Sequence, residues 1–466
     1  MNHRSQYMFR FTLNVFLAAI AGQSFARAEE KTVEYVIFEG GGPDQGPGHD
    51  RTLNLTALKK AFGPNDPVAS RMYGYGVQQI RMLTRSTTFL AAEINLALDA
   101  AERNNIPFWL HLDPLYAWGA DFESRPEDAP AVKFWKHPEM REWREFPAGG
   151  ELPSYIPRLW FNWGPWCSPV EAFPAIGSPR FVEFARKQLR EGVLTPLAAR
   201  LKKWHAEGKN YLFAGINVGW EIYIPNYHEG WLAASKQGRE GPVRAEFPRK
   251  IRGLQMDESL VGSQLGYASL HWRGWTEARL REAAQREGIT RDEKFRRLCY
   301  EAMHDYMQVL AKECFDHGLS PDKIYTHIVA LASVVEPDTN MPEIWTAVNP
   351  YSTPGFTMDN KGGARFDFGK LKQQIARSPG SRGVQFGAVE TYFGLGGRNY
   401  VTNAGSYKQE LDEMFGQGAR VQVIFGAFPF AKNSPTVAIA AIKTWLQERP
   451  AHHSPVNQGG PIKTEQ

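Results

Sequence analysis

Cysteine is scarce: Cys167, Cys299 and Cys314 are the only three in 466 residues. Three is too few and too odd a number for a disulfide framework, and no pair has zinc-ligand spacing. Cys299 and Cys314 fall on one predicted helix, about 22 Å apart at 1.5 Å per residue, too far to bridge. They are expected to be buried thiols, which leaves any bridge to Cys167. Beyond residue 28 no apolar run is long enough to span a bilayer, so stable membrane insertion is not expected. An excess of either charge is also missing, with 54 Lys+Arg against 50 Asp+Glu, and no Lys/Arg stripe suits a phosphate backbone, so nucleic acid is not an expected partner. No G-x-G-x-x-G follows a predicted strand, and Gly40-Gly41-Gly42 lacks dinucleotide spacing. With no G-x-x-x-x-G-K-[ST] and no G-x-S-x-G either, nucleotide-binding loops and the nucleophile elbow are excluded. No cofactor is expected.

What the sequence does have begins with an export signal over residues 1–28. His3, Arg4 and Arg10 form a basic start, Phe11 to Ala21 is a short apolar stretch, and Ala26-Arg27-Ala28 is a small-x-small cleavage site. The expected location is therefore secreted or periplasmic. Without Arg4, Arg10 and Arg27 the net charge falls to about +1, which removes the basic pI as an argument. Aromatic residues make up 13% of the chain, with 14 Trp. Trp118, Trp135, Trp143, Trp160, Trp163, Trp166, Trp231, Trp272 and Trp275 fall in predicted loops. Indole faces stack on the apolar C–H faces of sugars, although long loops also need aromatics to pack down.

Short β-rich runs alternate with amphipathic segments. Strands are predicted at Val33–Phe38, Val77–Leu83, Ile106–Leu112, Tyr211–Gly219, Ile324–Ala330, Trp345–Pro350, Val384–Val389 and Val421–Ala427. Helices are predicted at Leu55–Phe62, Phe89–Asn104, Pro179–Glu207, Asp292–His317, Phe368–Arg377, Ser406–Gln417 and Pro435–Arg449, with none marked after strand five. Eight strands with intervening helices predict an α/β fold, a (β/α)8 TIM barrel over residues 29–449; an open doubly wound sheet is the competing topology. Residues 450–466 read as a flexible tail. Long insertions follow strand three (residues 113–178) and strand four (residues 222–291). Both leave the strand C-termini, the face where barrels bind substrate.

Glycosidic bond cleavage needs two flanking carboxyl groups. Glu221 ends the run Tyr211–Trp220, where desolvation would raise its pKa as a proton donor requires, and Glu390 ends Val384–Val389 in the same way. On this count they close strands four and seven, whose ends can face each other across a barrel mouth. Each could also be a structural ion-pair partner. In this respect the chain resembles clan A of the glycoside hydrolases, barrels with the acid/base on strand four and the nucleophile on strand seven. The resemblance spans nearly the whole mature chain as a pattern of strand ends. It implies a retaining mechanism, with Glu221 as acid/base and Glu390 as nucleophile. It further implies that Arg81, in Gln79-Ile80-Arg81, steadies the nucleophile, that His111, in His111-Leu112-Asp113, lines the sugar site, and that Tyr351, in Asn349-Pro350-Tyr351, bonds the nucleophile. Trp166 and Glu39 are further candidates to meet a carbohydrate substrate, while Asp44, His49 and Asp50 follow strand one undecided. Two departures bear on the sugar contacts: Trp220 stands where clan members carry Asn, and Phe428 and Phe430 stand where strand eight carries a Trp platform. His327 on strand five is read as a sugar hydrogen-bonder or a satisfied core histidine. Two alternatives stay open. One is a non-catalytic carbohydrate-binding barrel. The other is a metal-dependent hydrolase using His111, Asp113 and His327. The oligomeric state is not legible.

Overall fold

The computed structural model describes residues 33–40, 51–115, 137–148, 173–222, 264–331, 342–359, 366–393, 403–427 and 435–448, with shorter pieces at 152–153, 160–163, 166–170, 224, 250–251, 254–255 and 430. The export signal and the tail lie outside the described residues, as do Asp44, His49, Asp50 and Phe428. Among the described residues no helix is long and apolar enough to cross a membrane.

Eight parallel strands make the central sheet: β1 Glu34–Gly40, β2 Arg71–Arg81, β3 Phe108–Asp113, β4 Phe213–Asn217, β5 in two pieces at Ile324–Tyr325 and Ile328–Leu331, β6 Gly355–Asp359, β7 Phe386–Thr391 and β8 Ala419–Ile424. β8 pairs with β1 through Tyr35↔Val421 and its neighbours. The two pieces of β5 close the ring: Ile324 and Tyr325 pair with Ile216 and Asn217 of β4, while Ile328 pairs with Phe356 of β6. A parallel bridge from Tyr325 to Thr353 completes the seam. The architecture is a (β/α)8 barrel, and the open sheet is excluded.

Helices α1 Arg51–Phe62, α2 Thr87–Asn104, α3 Pro179–Lys187, α4 Thr195–Ala206, α5 Tyr267–Trp272, α6 Glu277–Glu287, α7 Arg291–Asp316, α8 Phe368–Arg377, α9 Ala404–Gly416 and α10 Thr436–Gln447 accompany the strands. Their ends follow local chemistry. The Ser86 side chain accepts from the Phe89 N–H to start α2, and Asn105 ends it in the left-handed region at φ 55°. Thr290 caps α7, with Asp292 and Glu293 in its first turn favouring the helix dipole. Cys299 and Cys314 lie on α7 as buried free thiols.

Alternation along the strands sorts the side chains into two sets. Val36, Phe38, Phe108, Leu110, Ile216, Ile324, Phe356 and Phe386 join the helices in the main core. The other parity fills the barrel. Trp109 and Tyr325 pack there as tilted rings with centroids 5.0 Å apart, and Gly215 and Gly387 supply the space: a Cβ on Gly387 would meet the Tyr325 ring at 2.7 Å. Two residues further along each strand, toward the C-terminal mouth, the same parity carries His111, Asn217 and His327 (after Trp109, Gly215 and Tyr325), and Glu39 follows Ile37 on β1. The site is thus the layer directly above an aromatic plug.

Two elements differ from the sequence expectation. Strand six is Gly355–Asp359; the apolar run Trp345–Pro350 instead holds a 3-10 turn, Ile344–Ala347. Strand two begins at Arg71, because Arg71 pairs with Glu34 beneath the barrel and so enters the sheet as half of a buried ion pair. Of the loop tryptophans, Trp143 is fully buried, donates to the Pro138 carbonyl and packs on Trp272 with centroids 5.8 Å apart. It holds the strand-three and strand-four insertions together. Phe430 is buried against Phe38 and is no sugar platform.

Candidate active site

Glu390 lies within the last turn of β7 and is 6% exposed. Its Oε2 accepts the indole N–H of Trp220 at 2.8 Å. Glu221 follows Trp220 and is half-buried. Its backbone is in the left-handed region at φ 46°, one of only two non-glycine residues so placed among those described. Such a conformation typically costs about 1–3 kcal/mol and persists only where its surroundings impose it. The turn sends consecutive side chains to different partners, Trp220 to Glu390 and Glu221 to Thr357.

Thr357 is the residue that sequence reading missed. It is the Cα partner of Glu390 across the β6–β7 pair, so the two strands hold these residues about 4.8 Å apart. Its hydroxyl donates to Oε1 of Glu221 at 2.7 Å. One side chain therefore ties the two acids into a single site at the C-terminal mouth. The misplaced strand six hid it; with Gly355–Asp359 as the strand, Thr357 falls two residues beyond Gly355 on the inward parity.

Around this pair the charges are few and enclosed. Glu39 and His111 are fully buried, and Nδ1 of His111 meets both carboxylate oxygens of Glu39, at 2.9 and 3.0 Å. Nε2 of His111 is buried and makes no hydrogen bond among the described residues. The His111 ring lies edge-on to Trp220 with centroids 6.2 Å apart, and 5.4 Å from His327. Burial pushes the Glu390 carboxyl well above the usual 4.5; the neighbouring charge of Glu221 adds to this, the Trp220 N–H opposes it, and Glu39 adds further. Sequence reading expected desolvation at both strand ends; of the two acids Glu390 is the more deeply buried. Burial, with His111 next, holds His327 far below 6.5 and hence neutral.

The other predicted residues separate into near and far. Asp113 is fully buried at the end of β3, where its Oδ1 accepts the Leu115 N–H, and Arg81 is its register partner on β2. Asn349 and Tyr351 precede β6 and lie at the opposite end of the barrel from the carboxylates. Asn349 donates to Ser352, and Tyr351 packs against Phe315 near the end of α7. The shifted strand explains the error. The side chain of Trp166, in the short strand Trp166–Val170, lies outside what the structure describes.

The metal set His111, Asp113 and His327 is not assembled. The donor atoms that do converge, within 4.8 Å of one another, belong to His111, His327 and Glu390. Even there both nitrogens of His327 are engaged, Nδ1 with the Asn217 amide at 3.1 Å and Nε2 with Thr357 at 2.7 Å. A cation would need one of those lone pairs, so these residues do not fit a metal centre as they stand.

No protein-family model and no curated protein matches the sequence. Similar solved structures include xylanase B from Clostridium stercorarium F9 (9% identity, 90% of this chain and 97% of that chain, TM-score 0.32). Others are an alpha-galactosidase from Thermus thermophilus (11%, 90% and 62%, 0.36) and a GH5-4 broad specificity endoglucanase from an uncultured bacterium (8%, 85% and 84%, 0.36). At such low superposition these likenesses add nothing to the barrel already evident in the strand order.

Proposed function

We propose that this chain is a retaining glycoside hydrolase acting on an oligo- or polysaccharide. The observation that carries the reading is Thr357, which pairs with Glu390 across the sheet and bonds Glu221 with its hydroxyl. In the first step Glu390 attacks the anomeric carbon while Glu221 gives its proton to the departing oxygen. In the second, water attacks the glycosyl–Glu390 ester and returns a proton to Glu221, with Glu390 leaving as carboxylate. The mechanism needs Glu390 ionised and Glu221 protonated, and the Trp220 N–H favours that state because it stabilises charge on Glu390.

The test is a panel of aryl glycosides with wild type and Glu390→Ala, plus trapping with a 2-deoxy-2-fluoro glycoside. Expected are hydrolysis with retained anomeric configuration, its loss in the variant, and a covalent adduct on Glu390. An adduct on Glu221, an inverted product, or activity that survives Glu390→Ala would each defeat the assignment. A silent panel with sugar binding would favour a binding barrel.

A further inference from the structure

Resting on the glycosidase reading, we infer that Asn217, His327 and Thr357 form a one-directional hydrogen-bond chain that fixes which oxygen of Glu221 carries its proton. Thr357 and His327 are thereby positioning residues for the acid/base step.

The direction is set at one end by the backbone. The Gly219 N–H, which can only donate, meets Oδ1 of Asn217 at 3.2 Å. The amide nitrogen of Asn217 is therefore the atom facing Nδ1 of His327, at 3.1 Å, and it too can only donate. A neutral imidazole that accepts at Nδ1 carries its hydrogen on Nε2, and this nitrogen lies 2.7 Å from Oγ1 of Thr357. Having accepted there, Thr357 has one hydrogen left, and it points to Oε1 of Glu221 at 2.7 Å. All four links run the same way. Reversing the His327–Thr357 link would require the Nδ1–H tautomer, whose hydrogen would face the donor nitrogen of Asn217.

Oε1 of Glu221 is thus held as an acceptor whether or not the acid is protonated. The proton then resides on Oε2, the oxygen that Thr357 does not engage. In glycosyl transfer it passes from Oε2 to the departing oxygen, and in hydrolysis water returns it to the same atom. The left-handed backbone at Glu221 supports this, since it is the conformation that brings the carboxyl to Thr357 while Trp220 stays on Glu390. Among the described residues, the titratable groups around Glu221 include Glu390 on β7 and His327 on β5, with His111 and Glu39 behind them on β3 and β1.

Thr357→Val removes the hydroxyl at nearly constant volume, and Thr357→Ser keeps it. Three readouts test the chain. Nitrogen-15 NMR of His327 in the wild type should show Nδ1 unprotonated and Nε2 protonated. Infrared titration of the Glu221 carboxyl, assigned with Glu221→Gln, should move up by about one unit in Thr357→Val and stay in place in Thr357→Ser, because an ionised carboxylate loses a donor only in the first. Thr357→Val should also lose about tenfold more activity on poor phenol leaving groups than on dinitrophenyl glycosides, which need little acid assistance. A protonated Nδ1, an unmoved Glu221 titration in the valine variant, or a serine variant as impaired as the valine one would overturn the inference. If the wild type hydrolyses no glycoside, the function proposed above fails, while the two spectroscopic readouts still decide the chain.

Discussion

The indole N–H of Trp220 donates to Oε2 of Glu390 at 2.8 Å, and both side chains are almost fully buried. The sequence marked Trp220 as a departure from the pattern it otherwise resembles. In the structure the residue is occupied in holding the proposed nucleophile. Trp220→Phe keeps most of the ring and deletes the donor. A hydrogen bond to a buried charged group is worth about 1.5–3 kcal/mol, so kcat/KM on an activated aryl glycoside should fall by about ten- to a hundredfold. Far-ultraviolet circular dichroism should not change. A variant as active as wild type would show that the indole N–H does not support the charge on Glu390.

Glu39 and His111 provide a stability test independent of substrate. Glu39 offers two oxygens to one buried ring nitrogen, in a layer with no solvent to replace them. Glu39→Leu leaves that N–H without an acceptor and should cost about 2–3 kcal/mol in urea unfolding. Adding His111→Phe should recover most of the loss, because replacing both partners removes the orphaned donor. Purely additive losses would mean that the pair is not coupled.

Much of this arrangement was legible in the sequence. Short β-rich runs located six of the eight strands to within a few residues and the second half of strand two, and acids at their ends stood out against the apolar runs before them. Strand six failed for a physical reason. Trp345–Pro350 is apolar enough to resemble a strand, while the real one, Gly355–Asp359, is five residues with a glycine and a threonine. Periodicity cannot arbitrate between such short runs. The shift carried Asn349 and Tyr351 to the wrong end of the barrel and hid Thr357. Nor could sequence show that His327 and Asn217 belong to one hydrogen-bonded layer, since they lie 110 positions apart and meet only because β4 and β5 are neighbours.

Below that layer, Gly387 tests how tightly the plug is packed. A Cβ there would lie 2.7 Å from the Tyr325 ring and 2.8 Å from Val389. Tyr325 cannot retreat, because it already packs against Trp109. Overpacking of this kind typically costs about 1–3 kcal/mol. Gly387→Ala should lose about that much in chemical denaturation, with a parallel loss of activity because His327 and Glu390 sit directly above. A neutral substitution would mean that the barrel interior is looser than these distances require.

Outside the site, a pH dependence of stability should come from Glu142. This fully buried residue of the strand-three insertion accepts the backbone N–H groups of Gly266, Ala268 and Ser269 and the Ser269 hydroxyl, at the start of α5 in the strand-four insertion. Burial pushes its pKa up from 4.5 to about 7, against those four donors, which favour the ionised form. A carboxyl raised on folding binds its proton more tightly in the native state. Its contribution is therefore complete below about 4.5 and is lost as pH rises through about 7. At 1.36 kcal/mol per unit the change is about 3 kcal/mol. Urea unfolding between pH 4.5 and 8 should show stability falling by roughly that amount, and Glu142→Gln should flatten the slope. If the wild type instead gains stability across this interval, the four donors outweigh burial and Glu142 is ionised throughout.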